Sequence, residues 1–366
     1  MKLITKYTLL SLITASSIYA NDALSNGKLS GEVSLYNILQ DNKTSLDEGY
    51  SVGSLYLNYA TQELNGFKAT VGGITNHPFY EKQKNDYWKN KKHIRATLTE
   101  ANISYSNDLF TVIAGRQPLN LEWIEDYHNA VLGIITYNDI IVTTGVTNKI
   151  LDADEDSYLP KIADIKDKNG DKTKTAFIDL EYSLNDNLVL GSYYMDTKGL
   201  FSGIGGFVFT SIQGISTTLK YAQTDEKDGS VQNGKIVACD FGYTIQDNTN
   251  IYFGYIQSGK KNGTGNLDYL GDRINPFEDG NQVYGTDAKT WYLNASTEVA
   301  GFGLGALYGE TKYEGANGKE KEKELNLFVD KEVYKNLTAS VIYADVKTHD
   351  KDDKYNYASL QLTYSF

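Results

Sequence analysis

An alternation of apolar and polar residues recurs through this chain in segments of roughly ten residues, from GKLSGEVSLYN near the start to YASLQLTYSF at the end. In the last segment Ala358, Leu360, Leu362, Tyr364 and Phe366 share one parity, and Tyr357, Ser359, Gln361, Thr363 and Ser365 share the other. In TAFIDLEY, Ala176, Ile178, Leu180 and Tyr182 oppose Phe177, Asp179 and Glu181. A period of two puts successive side chains on opposite faces of a strand, so each segment reads as a strand with one apolar face. After residue 20 nothing approaches the ~20 apolar residues that a membrane-crossing helix needs. So many strands, with so little helix to cover them, would enclose an apolar interior too large for side chains to fill. Turning the sheet inside out resolves the conflict. A closed antiparallel β-barrel then faces lipid with its apolar parity and a wet lumen with its polar parity, and closure satisfies every backbone group.

The pattern places eighteen strands, from 28–39 to 354–366, with sixteen as the alternative count. Connections are tight at Ser106–Asp108, Tyr137–Asp139 and Gln246–Thr249, and long at 77–94, 149–173 and 260–286. Short turns on one side and long loops on the other are the habit of outer-membrane barrels, with the short turns periplasmic. Pro78, Pro118, Pro160 and Pro276 are all expected in long loops, where a missing amide donor costs no ladder bond. Tyr59, Tyr105, Tyr182, Tyr243 and Phe366 mark one set of strand ends, and Tyr221, Tyr255, Tyr308 and Tyr343 the other. Two aromatic girdles at the membrane interfaces would produce this arrangement. Residues 1–20, with Lys2 and Lys6 before a short apolar run and small residues before Ala20, read as a signal peptide, leaving 21–366 as the barrel. Its removal takes the formal charge from −12 to −14, which argues against a nucleic-acid partner. The single cysteine, Cys239, makes no intrachain disulfide and has Val237 and Phe241 on its parity, so a lipid-facing thiol is expected.

A phenylalanine closing an alternating last strand resembles the C-terminal signal read by the outer-membrane barrel assembly machinery. AGRQPLNLEWIEDYHNAV, Ala114 to Val131, resembles the segment entering the third external loop of Campylobacter-type major outer-membrane porins, Opr-family proteins distantly related to OprD-type channels. The resemblance implies an eighteen-stranded channel, usually a homotrimer, set among outer-membrane lipid and lipopolysaccharide and passing small hydrophilic solutes and ions. OprD-type channels that take carboxylates line the lumen with arginines. This chain has only Arg95, Arg116 and Arg273, which favours a general diffusion pore.

Eighteen strands enclose a wide lumen, so selectivity needs something folded into it. Over Leu121–Val131, Leu121, Ile124, His128 and Val131 share roughly one helical face. A short helix against the inner wall is therefore expected to present Glu122, Glu125 and Asp126 as the acidic side of a constriction, with Arg116 as its basic counterpart. An acidic excess favours cations. Glu32, Lys68, Asp179, Glu181, Lys220 and Asp240 fall on the inward parity and are expected to line the lumen.

Other motifs carry less chemistry. The run LDADEDSYLPKIADIKDKNGDK suggests a calcium loop, but after Asp167 and Asn169 the glycine Gly170 comes too early for an EF-hand. No cofactor is expected, with a loop-bound calcium ion as the alternative. The four histidines show no metal-ligand spacing. The basic run KQKNDYWKNKKH, Lys82 to His93, fits lipopolysaccharide phosphates or a neighbouring subunit. No Ser/His/Asp spacing suggests a catalytic nucleophile, so no catalytic residue and no enzyme is expected. Against the diffusion pore stand a substrate-specific channel and a surface adhesin or structural protein.

Overall fold

Tight turns and alternating faces together dictate the architecture. At Gln213–Gly214 both residues hold positive φ, 52° and 81°, and at Ala300–Gly301 they hold 54° and 73°. Positive φ at both central residues marks a two-residue turn whose twist matches that of antiparallel neighbours, so each pair folds its strands directly into a hairpin.

The computed structural model describes residues 24–89, 94–246, 248–280, 282–316, 318–350 and 353–366. The expected signal peptide lies outside the described residues. The strands are β1 (Lys28–Asn42), β2 (Glu48–Ala60), β3 (Phe67–Glu81), β4 (Ala96–Ser106), β5 (Phe110–Pro118), β6 (Tyr127–Tyr137) and β7 (Ile140–Leu151). Then follow β8 (Ala163–Asp164), β9 (Thr175–Asn185), β10 (Leu188–Thr197), β11 (Phe201–Ile212), β12 (Ile215–Glu226) and β13 (Lys235–Ile245). The last are β14 (Thr249–Ser258), β15 (Lys289–Val299), β16 (Phe302–Gly315), β17 (Gly318–Tyr334), β18 (Leu337–Lys347) and β19 (Tyr355–Ser365). Two-residue β8 is a strip laid on β7. The other eighteen form the wall, since β7 pairs directly with β9. Eighteen, not sixteen, is the count.

Closure comes from the pairing of β1 with β19, which runs antiparallel from Glu32 opposite Ser365 to Asn42 opposite Tyr355. Gly31 and Phe366 exchange backbone hydrogen bonds of 3.0 Å beyond it. The sheet therefore closes on itself, the condition under which strands can stand in an apolar medium. Leu29, Val33, Leu35 and Leu39 of β1 are exposed, while Ser34 and Tyr36 of the opposite parity are buried. Val131 and Ile135 of β6 and Val237 and Phe241 of β13 continue the exposed apolar belt, and Cys239 lies on their parity. Inside, threonine hydroxyls bridge strands at Thr175–Thr197, 2.7 Å, and Thr290–Thr311, 2.8 Å. Tyr105 packs against Phe67 and Phe110 at the short-turn end, and Trp291 against Tyr308 toward the other.

Two expectations need correction. Pro78 and Pro118 are in strands, because β3 runs on to Glu81 and Pro118 ends β5. Pro78 is accommodated by a register shift between Ser51 and Val52 of the facing strand, where the ladder is already interrupted. The segment Leu121–Val131 is not a helix. Residues from Tyr127 onward belong to β6, whose backbone groups pair with β5 and β7, and alternation sends His128 inward and Val131 outward.

The core sits in the lumen and is built by loops. Leu119, Trp123 and Ile124 from the β5–β6 connection meet Ile165 from 152–174 and Leu267, Leu270 and Ile274 from 259–288. All of them pack toward inward wall residues such as Phe177, Tyr193, Met195 and Phe201.

Candidate functional site

The β5–β6 connection enters the lumen as a small hairpin. Leu119 N–H donates to the Asp126 carbonyl at 2.9 Å, and Leu121 N–H to the Ile124 carbonyl at 2.9 Å. Asp126 closes it at φ 71°, a left-handed conformation that aspartate tolerates better than most residues. The hairpin tip is apolar, which is why it leaves water: Trp123 and Ile124 are each 1% exposed. The Trp123 indole N–H donates to the Tyr193 hydroxyl on β10 at 2.7 Å, satisfying its polar edge. Lys220 on β12 donates to Glu122 at 2.7 Å, so the hairpin spans from β5 to a wall strand well around the barrel.

The 259–288 segment braces the hairpin from the other side. Glu125 N–H donates to the Leu270 carbonyl at 2.9 Å, and the Glu125 carboxylate accepts from Asp272 N–H at 3.2 Å and pairs with Arg273 at 3.6 Å. Gly271 makes the approach feasible. It holds φ 118°, and a Cβ there would stand 2.8 Å from the Glu125 Cβ.

On the side of β1–β3 a cavity of about 400 Å³ remains, lined by Glu32, Ser34, Ser54, Tyr56, Asp126, Tyr127, Asp154 and Glu155, with apolar neighbours. The acidic run at 152–156 is held there by Asn76, whose side-chain amide donates to the carbonyls of Asp154 and Ser157, both at 2.7 Å. Gln361 donates to Glu155 at 2.9 Å and Ser365 to Glu32 at 3.2 Å. Among the described residues, none of Glu32, Asp126, Asp154 and Glu155 has a basic group within ion-pair distance. Burial, then the charges of Asp152 and Glu125, pushes Asp126 up to about 6. Burial and Glu155 push Asp156 up to about 6, and burial with the neighbouring Asp152 raises Asp154. Carboxyls raised in this way gain negative charge as pH rises through their shifted range.

The residues singled out in the sequence divide accordingly. Glu122 and Lys220 come together as a pair, and Glu125 is engaged by the 259–288 loop, so Asp126 is the acid of the three that lines the open cavity. Glu32 lines it too. Asp179 and Glu181 share the inward parity of β9 with buried Phe177. Asp240 faces inward and accepts from the Tyr292 hydroxyl. Lys68 is inward near the short-turn end, opposite Ser104. Arg116 is a correction. It shares the outward parity of β5 with Val112 and Ala114 and stands opposite Ala101 and Asn129, so it is not the counterpart of the hairpin acids. Its guanidinium donates to Asn129 Oδ1 at 2.9 Å and the Leu98 carbonyl at 2.7 Å. Lys220 takes the place expected for it. Sequence reasoning missed Asp154, Glu155 and the bracing role of 259–288. Their signal was Leu151, Leu159 and Ile165 around the acids, and Leu267, Leu270, Ile274 and Val283 inside a nominal external loop: apolar residues that an outward loop has no use for.

No family model matches the chain, and no curated protein matches it. Solved structures do. The Acinetobacter baumannii OccAB1 structure aligns with a TM-score of 0.78 at 13% identity, covering 94% of this chain and 97% of that one. Pseudomonas aeruginosa OccK3 (OpdO) aligns at 0.76 and 13%, covering 95% and 97%. Pseudomonas aeruginosa OpdK, solved with vanillate, aligns at 0.74 and 11%, covering 94% and 99%. The chain therefore shares, over nearly its whole length, the eighteen-stranded barrel fold of these proteins.

Proposed function

We propose that this chain, exported by the signal peptide at 1–20, is an outer-membrane channel for small hydrophilic solutes and ions, and that it prefers cations. The observation that carries the reading is the unpaired acidic cavity of Glu32, Asp126, Asp154 and Glu155 inside a barrel whose exterior is apolar. Diffusion through it is passive and makes or breaks no bond. The long connections face outward and the short turns the periplasm, as the turn lengths suggest. The Campylobacter-type porins and their trimeric state remain the family reading suggested by Ala114–Val131. A substrate-specific channel is the second reading, favoured by the three loops that narrow the lumen and by the fold shared with the Occ proteins. OpdK was solved with the carboxylate vanillate. The unpaired charge here has the opposite sign to an anion-collecting site, so basic solutes are the substrates of choice.

Planar-bilayer recording in a KCl gradient tests the reading. Wild type is expected to give a reversal potential on the cation-selective side, and the D126N/D154N/E155Q variant one shifted toward zero. An unmoved potential in the variant removes the cation preference, and absence of conductance in the wild type removes the channel. Liposome swelling with lysine and arginine separates the two channel types, since only a specific one saturates.

A further inference from the structure

The outward Arg116 lies in a groove of about 560 Å³ that crosses the exterior of β4 to β9. Its apolar lining includes Leu98, Val131 and Val146, all exposed on the lipid-facing parity. The floor of the groove includes Ala101 and Gly115; Gly115 holds φ 127°, and backbone of Ala101 packs so closely on it that a Cβ there would collide with the Ala101 carbonyl. Lys174 lines the same groove, one residue before β9 begins, and Arg116 lies two residues before β5 ends. Both cations therefore sit at the long-loop rim, while the apolar lining continues onto the belt below. The lining contains no acidic residue, and among the described residues Arg116 has no carboxylate partner. Two of its five N–H donors bind Asn129 and Leu98; the rest of the fork is unspent. A cation placed on a lipid-facing wall is costly unless an anion meets it, and a guanidinium fork matches phosphate.

We propose that this groove binds the net-anionic, phosphomonoester-bearing headgroup of an outer-leaflet lipid, with Arg116 and Lys174 on the phosphate and an acyl chain along Leu98, Val131 and Val146. The assignment rests on the membrane reading above. Charge complementarity favours a lipid over a second copy of the chain, because a copy would have to bring a carboxylate into a belt of apolar residues.

Native mass spectrometry of the purified barrel in nonionic detergent, titrated with diphosphoryl lipid A, tests it. Wild type is expected to hold a one-to-one adduct that phosphatidylcholine does not form. R116Q is expected to weaken it by about tenfold and R116Q/K174Q by about a hundredfold, a tenfold step for each lost charge contact. K174Q alters only an exposed rim side chain and keeps the test valid should R116Q misfold; it alone should cost about tenfold. Undiminished adduct in K174Q and R116Q/K174Q overturns the proposal, as does equal binding of phosphatidylcholine. So does a wild type that fills the groove by self-association, seen as oligomers lost in R116Q without added lipid. Conductance of the same preparations reports on the channel separately, so failure of one reading is distinguishable from failure of the other.

Discussion

Asp126 and Asp156, raised to about 6, carry charge above that pH and lose it below. Cation preference is thus expected to decline as pH falls through 6 toward 5, read as a reversal potential drifting toward zero, and to keep rising above neutral pH as Asp154, raised further by burial and Asp152, ionises. In D126N/D154N/E155Q that drift should shrink to the part carried by Asp156, and adding D156N should flatten it. Glu122 and Lys220 make the complementary case, with side chains only 14% and 19% exposed. Lys220→Met leaves a carboxylate uncompensated in the lumen and should strengthen cation preference, whereas Glu122→Gln should weaken it. Shifts of the same sign in both variants would show that the pair is not beside the ion path. The inward parity of Glu32, Asp179 and Lys220 was legible in the sequence because a strand's period is two. Arg116 was misplaced because its role was judged from its closeness to the acids along the chain, while its own parity with Val112 and Ala114 pointed outward.

At the scale of elements, the β5–β6 hairpin is a unit whose largest buried side chain is Trp123, with the Glu122–Lys220 pair and the 259–288 segment bracing it. Trp123→Ala removes a buried indole worth about 3–5 kcal/mol of packing, and the loss falls on the hairpin, since the wall is held by its own ladders. Single-channel recording is expected to show higher and noisier conductance, with the unheated barrel still migrating as folded on a gel. Unchanged conductance would mean that the hairpin does not obstruct the lumen. The sequence located this inward segment correctly and mistook its form. Leu121 and Ile124 lie on the hairpin while His128 and Val131 lie on β6, so the apparent helical spacing was read across a junction between two elements. Strand ends, by contrast, were recoverable at turns such as Tyr137–Asp139, where Asn138 and Asp139 announce the reversal locally between β6 and β7.

For the whole molecule, stability is a property of the ring. Removing 355–366 deletes β19 and leaves β1 and β18 with unpaired backbone groups. The truncated chain is expected to lose the heat-dependent gel shift of a closed barrel and to aggregate on refolding, whereas deleting Phe366 alone leaves the β1–β19 register in place. A truncated protein that still shifts and conducts would show that closure can be made without the last strand.

Alternation along each strand, repeated to the last residue, was enough by itself to indicate a barrel turned inside out, a count of sixteen to eighteen strands and the face that most wall residues present. These follow from local periodicity and from the need to satisfy every backbone group, and neither depends on distant parts of the chain. The pairing of β7 with β9 and of β1 with β19 settled the count at eighteen. Which loops fold inward, which acids are left without a cation and which cation is left on the outer wall were decided by the tertiary structure alone. Those outcomes depend on contacts between segments far apart in sequence, such as Glu122 with Lys220 and Glu125 with Arg273, and no period of two or of 3.6 encodes them.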